Sequence, residues 1–81
     1  MVLNNSERYK NIGLKVADLR AKRGLTQQQL ADKIGISKSY LSKIESPNTV
    51  KSFSLDVLFS ISDELDINIT ELFEDYKQVN T

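Results

Sequence analysis

The sequence predicts an all-α domain of five short helices, and three observations predict it. Apolar residues recur at helical spacing in five segments. A Ser, Thr or Asn stands at the head of each segment, where its side chain can accept from an orphan backbone N–H. No stretch carries the two-residue alternation of a half-buried strand. The 81 residues are read as one domain over 1–81. That is near the size at which a single core suffices, since so short a chain buries about 60–65 % of its unfolded surface.

The elements follow in order. Residues 1–5 lack periodicity and are expected to be flexible. Ser6 is placed to cap helix one, roughly Glu7 to Arg23, whose stripe is Tyr9, Ile12, Val16 and Leu19, with Gly13 and Arg20 on the same side. Gly24 supplies a left-handed stop. Thr26 and Gln29 have the spacing of a capping box at the head of helix two, which buries Leu30, Ala31 and Ile34 and ends at Gly35. Ala31 matters by being small, since it lets another helix backbone approach. Ser37 caps helix three, Lys38 to Glu45, with Tyr40, Leu41 and Ile44 on one side. Only Gly35 to Ser37 separate the two helices, so the chain bends sharply there.

Pro47, Asn48 and Thr49 give the next segment turn chemistry. Ser54 caps helix four, whose stripe is Leu55, Leu58, Phe59, Ser62 and Leu65, with Ile61 at its edge and Val57 off it. Asp66 stands where Gly would normally close the helix. Asn68 and Glu71 form a second capping-box pattern, opening a final helix with Ile69, Leu72, Phe73 and Tyr76 on one side. Residues 77–81 are expected to be flexible.

Composition excludes several chemistries. The chain has no Cys and no His, which removes disulfides, thiolate zinc sites, imidazole ligands and Cys–His dyads. With no Gly-rich phosphate loop and no carboxylate pair on an apolar wall, catalysis is not expected, nor is a cofactor, a metal or a small-molecule ligand. No apolar run reaches membrane-spanning length and the first ten residues carry no signal-peptide core, so the expected location is cytoplasmic, without a membrane partner. Net charge is zero, but its distribution is uneven. Residues 1–51 hold ten Lys and Arg against four Asp and Glu, a net +6, and residues 52–81 hold one Lys against seven acids, a net −6. Such a dipole suits one side that meets a polyanion and one that stays off it, though charge blocks are as often plain solvated faces.

The polar residues of helix three give that asymmetry a location. Opposite its apolar stripe stand Lys38, Ser39, Ser42 and Lys43, all able to hydrogen-bond and two of them cationic. The fold has no use for this face, so it is the candidate functional surface.

Residues Ile12 to Glu45 and Leu55 to Phe73 resemble the lambda-repressor and Cro type of helix-turn-helix domain, a large group of small bacterial and phage transcriptional regulators. The resemblance spans about three quarters of the chain. It is carried by the ordered set Gly24, Leu25, Thr26, Gln27, Leu30, Ala31, Gly35, Leu41, Ser42, Ile44 and Glu45, followed by the pattern of helix four and the ending Glu71, Leu72, Phe73. It implies a lambda-repressor-like DNA-binding domain whose central helix-turn-helix lays helix three in the major groove of double-stranded DNA. Lys38, Ser39, Ser42 and Lys43 would then approach base edges, Lys donating to guanine O6 and N7 and Ser compatible with several bases. Gln27 matches the family's phosphate-contacting glutamine at a helix start that favours anions. Ser37, Tyr40, Asn48 and Lys51 are the further backbone-contacting candidates, with Thr49 and Ser52 also in that loop. Arg20 and Glu45 match a structural ion pair between helices one and three. The chain departs from relatives after helix three: Pro47 stands where Gly is common, Phe53 where Pro is common, and the loop is about two residues longer.

A single such domain reads few base pairs, so a homodimer on a pseudo-palindromic operator is expected, through helices four and five and the apolar residues Val57, Phe73, Tyr76 and Val79, with simple core closure as the other reading of these four. The alternative is an antitoxin-like or other protein-interaction module on the same fold, with a protein partner and DNA binding secondary. The operator and the direction of regulation are not encoded in these residue types.

Overall fold

The computed structural model describes residues 5–48 and 52–74, which form four α-helices and a short 3-10 helix: α1 (Ser6–Lys22), α2 (Gln27–Ile34), α3 (Lys38–Glu45), α4 (Leu55–Leu65) and the 3-10 segment Ile69–Phe73. The all-α class is as expected; the count of five α-helices is not. The α-helices pack around one core of Val16, Leu30, Ala31, Leu41, Leu58, Ile61, Leu65 and Leu72, each 3 % exposed or less. Residues 1–4 and 75–81, which hold all of the expected flexible ends but Asn5, and the loop residues Thr49 and Lys51, lie outside the described residues, as do Tyr76 and Val79.

Capping chemistry sets most of the helix ends. Thr26 Oγ1 accepts from Gln29 N–H at 3.0 Å while Gln29 Oε1 accepts from Thr26 N–H at 2.9 Å, so the capping box is complete. Ser37 Oγ accepts from Tyr40 N–H at 3.0 Å and Ser54 Oγ from Val57 N–H at 3.3 Å. Helix α1 is the exception. It begins at Ser6 itself, with Asn5 in the capping position and making no side-chain cap bond. The bend between α2 and α3 rests on Gly35 at φ 80°, whose N–H reaches Ala31 O at 2.9 Å. An L side chain pays roughly 1 kcal/mol or more there, and glycine does not.

The approach of α1 to α3 is decided by a missing atom. A Cβ on Gly13 would collide with the Ile44 carbonyl oxygen and lie 3.0 Å from its carbonyl carbon. The two backbones therefore touch directly, which fixes the depth at which α3 sits on the domain. Ala31, in α2, is fully buried in the core.

Helix α4 is rotated from the orientation its sequence suggests. The buried residues are Leu58, Ile61, Ser62 and Leu65, whereas Leu55 is 57 % and Phe59 49 % exposed. At about 100° per residue the buried stripe is centred nearer Ile61, which carries Val57 to the half-buried edge that packs on the core and turns Phe59 out. Val57 is thus half-buried at the edge of the core. Ser62 is accommodated at 3 % exposure because its hydroxyl donates to Phe59 O at 2.9 Å.

The expected fifth helix is a single 3-10 stretch of five residues. Its capping box forms, with Asn68 N–H donating to Glu71 Oε2 at 3.2 Å and Asn68 Oδ1 accepting from Thr70 N–H at 3.0 Å. The box marks where a helix starts and says nothing of how many turns follow. Ile69 and Thr70 are β-branched and hold back α-propagation, and Glu74 is already extended. With three residues per turn, Ile69 and Leu72 eclipse on the inner side and Phe73 falls 120° away. Leu72 is fully buried and Phe73 is 50 % exposed.

The Phe53 departure also has its explanation. Its ring meets Tyr9 edge-on, with centroids 5.0 Å apart and planes at 85°, and it packs against the core. An aromatic closes the gap between the loop and the start of α1, a contact worth about 0.5–1.5 kcal/mol beyond its burial.

Candidate nucleic-acid interface

Helix α3 is divided lengthwise. Leu41, Ile44 and Glu45 are buried, while Lys38, Ser39, Ser42 and Lys43 are exposed. The four exposed residues occupy about 140° of the helix circumference, so their side chains form one continuous polar surface with two ammonium groups. The helix is set on the domain by its contacts with α1 and α2.

A buried polar node holds the end of that helix. Glu45, the last residue of α3, is 6 % exposed. Arg20 Nε donates to its Oε2 at 2.8 Å and Arg20 Nη2 to its Oε1 at 2.9 Å. The third guanidinium nitrogen donates to Leu25 O at 2.6 Å. The planar guanidinium thus bridges α1, the α1–α2 turn and α3 in a bidentate fork, the geometry in which Arg and carboxylate bind best. The structural pairing of Arg20 with Glu45 is present as expected, and each of the three guanidinium nitrogens donates within the protein. Gln27 Nε2 also donates to Glu45 Oε1, at 2.9 Å. That bond was not legible as a motif. It places the half-buried Gln27 side chain between the node and the surface, with one amide donor already committed inside the protein.

The remaining candidates are less uniform. Ser37 is exposed, its hydroxyl oxygen serving as the α3 cap. Tyr40 is half-buried at the margin of α3. Asn48 is exposed beyond α3, its N–H donating to Ser46 Oγ at 3.2 Å. Lys51 lies outside the described residues. Among the described residues, no group of three or more carboxylates is arranged to hold a metal ion. No described helix is long and apolar enough to cross a membrane. Of the expected interface residues away from α3, Phe73 is half exposed, and its exposed apolar companions are Leu55 and Phe59. Helical spacing alone places both in the buried stripe of helix four, and the rotation of α4 turns them out. Leu55 and Phe73 share the lining of a cleft with Tyr9, Ile12 and Phe53.

Comparisons with known proteins agree with this geometry. A family model described as helix-turn-helix matches residues 16–72. The HTH-type transcriptional regulator SinR of Bacillus subtilis is 34 % identical over 64 residues, which is 79 % of this chain and 57 % of that protein. The crystal structure of the restriction-modification controller protein C.AhdI from Aeromonas hydrophila matches with a TM-score of 0.73 and 31 % identity, covering 80 % of this chain and 96 % of that one. The crystal structure of the master regulator for biofilm formation SinR in complex with DNA matches at 0.71 and 35 % identity, over 78 % of this chain and 98 % of that one. The chain spans about half the length of most curated regulators it matches, 54 % of one from Rickettsia conorii, and 13 % of the propionyl-CoA carboxylase regulator of Cereibacter sphaeroides. On the extent of the family match and the helix arrangement, the chain belongs to the helix-turn-helix family of the lambda-repressor and Cro type.

Proposed function

We propose that this chain is a sequence-specific double-stranded DNA-binding transcriptional regulator, acting in the cytoplasm with α3 in the major groove. One observation carries the reading. Helix α3 buries Leu41, Ile44 and Glu45 and leaves Lys38, Ser39, Ser42 and Lys43 as a continuous exposed row on a scaffold shared with a relative whose structure was solved in complex with DNA. Lys38 and Lys43 donate to guanine O6 and N7, and Ser39 and Ser42 act as adaptable donors or acceptors. Phosphates on either side meet the α2 start at Gln27, the Ser37 hydroxyl, Tyr40 and Asn48, with Lys51 in the following loop.

Specific binding uses two copies. One domain covers a few base pairs, and a two-fold pair covers half-sites about one helical turn, roughly 34–36 Å, apart. The pairing surface is Phe73 with Leu55 and Phe59, large apolar side chains about half exposed, more than a monomer has reason to leave together. The same surface supports the second reading, in which the partner is a different protein and DNA binding is secondary. Selection of bound duplexes from a random library, repeated with Lys38→Ala and Lys43→Ala, separates the two. The DNA reading expects a palindromic enriched site whose sequence preference changes in the variants. Equal binding to all duplexes, or to none, favours the protein partner.

A further inference from the structure

The carboxylate at the end of α3 has one more partner than the Arg20 fork requires. Arg20 grips Glu45 from α1, and Gln27, the first residue of α2, grips the same Oε1 from the other side at 2.9 Å. Glu45 is 6 % exposed, so its position is fixed by these donors and not by water. We propose that Gln27 is a positioning residue for DNA recognition: through Glu45 it fixes the C-terminal end of α3 against α2, and its side chain serves sequence discrimination, not bulk affinity for phosphate.

Three features support this. A primary amide carries two N–H donors, and one is spent on Glu45. The main-chain N–H of Gln27 has no intrahelical acceptor, because it lies in the first turn of α2, so it offers a phosphate contact that survives any side-chain change. Ser42 lies one turn before Glu45 on α3 and Lys43 two residues before it, so loss of the α2 tether is felt where base edges are read. Hydrogen bonds to base edges weaken steeply with misalignment, whereas an ammonium or a backbone N–H near a phosphate tolerates small shifts.

The proposal rests on the DNA-binding reading above, and its test keeps the two apart. The full chain, Gln27→Met and Gln27→Ala are compared on a duplex enriched by the wild type from a random pool and on an unrelated duplex of equal length. Gln27→Met keeps the side-chain length and removes both amide donors. The expected result is a fall in the ratio of the two affinities of about three- to tenfold, the size of one hydrogen bond, from weaker binding to the enriched duplex alone. The salt dependence stays unchanged because no charge is altered. In the DNA-free protein, amide hydrogen exchange at Ile44 and Glu45 rises several-fold, while Val16 and Ala17 in α1 keep their rates. An equal loss on both duplexes makes Gln27 an ordinary phosphate contact and overturns the proposal, as does unchanged exchange at Ile44 and Glu45. If the wild type enriches no duplex, the DNA-binding reading itself fails and the proposal with it. An enriched site with an unchanged affinity ratio overturns the role of Gln27 alone.

Discussion

Replacing Gly13 with Ala tests the contact that seats α3 on the domain. The added methyl meets the Ile44 carbonyl oxygen, backbone that no rotamer change can move aside, with Glu45 Cα a further 3.6 Å neighbour. Two terms oppose each other. Alanine in a helix interior gains about 1 kcal/mol over glycine. Overpacking of a well-filled contact costs about 1–3 kcal/mol and sometimes more, and here the helices must separate, loosening Val16, Leu41 and Ile44 together. The overpacking term should sit at its upper end, leaving a net loss of about 2 kcal/mol. For a domain of this size, that lowers the melting midpoint by roughly 8–16 °C. Urea unfolding with unchanged slope is the assay. An unchanged or higher midpoint would mean that α1 and α3 do not meet through this glycine, and the seating of α3 would have to be rebuilt.

Other outcomes follow from the same contacts. Glu45→Ala strands Arg20 at the edge of the core and should destabilise by about 3–5 kcal/mol, read by chemical denaturation; a loss under 1 kcal/mol contradicts the node. Asp66→Gly relieves a non-glycine residue at φ 56° and keeps the backbone carbonyl that Arg23 reaches at 3.3 Å. It should stabilise by about 0.5–1 kcal/mol, and a thermal melt showing no gain refutes the strain. Phe59→Asp or Phe73→Asp should leave the fold intact and abolish the dimer in sedimentation, whereas Val57→Ala should lower stability by about 1 kcal/mol; a reversed pattern places the interface at Val57.

Much of the fold was legible because caps and glycines act locally. Thr26 with Gln29, Ser37, Ser54 and Gly35 each meet partners within four residues, and residue spacing encodes such contacts. What failed depended on how one element sits on another. The rotation of α4 toward Ile61 is set by the surfaces of α1, α2 and the 3-10 segment, and a helix with apolar residues at 55, 57, 58, 59, 61 and 65 offers more than one stripe to choose from. The last element failed for a related reason: the Asn68–Glu71 box is common to α and 3-10 starts, and only the winding places Phe73 outside. The site shows the same division. The exposed row of α3 follows from the burial of Leu41 and Ile44, and the Arg20–Glu45 pair from a family pattern. The Gln27–Glu45 bond joins residues 18 apart, and no local periodicity could reveal it.

The polar row of α3, and not the apolar surface of α4, is the face proposed to meet DNA. Amide chemical shifts of the labelled chain, followed as the enriched duplex is added, test it most directly. The largest changes are expected at Lys38, Ser39, Ser42 and Lys43 and at the start of α2 around Gln27, with Ser60 to Glu64 little affected. Changes centred on α4 with α3 silent would contradict it.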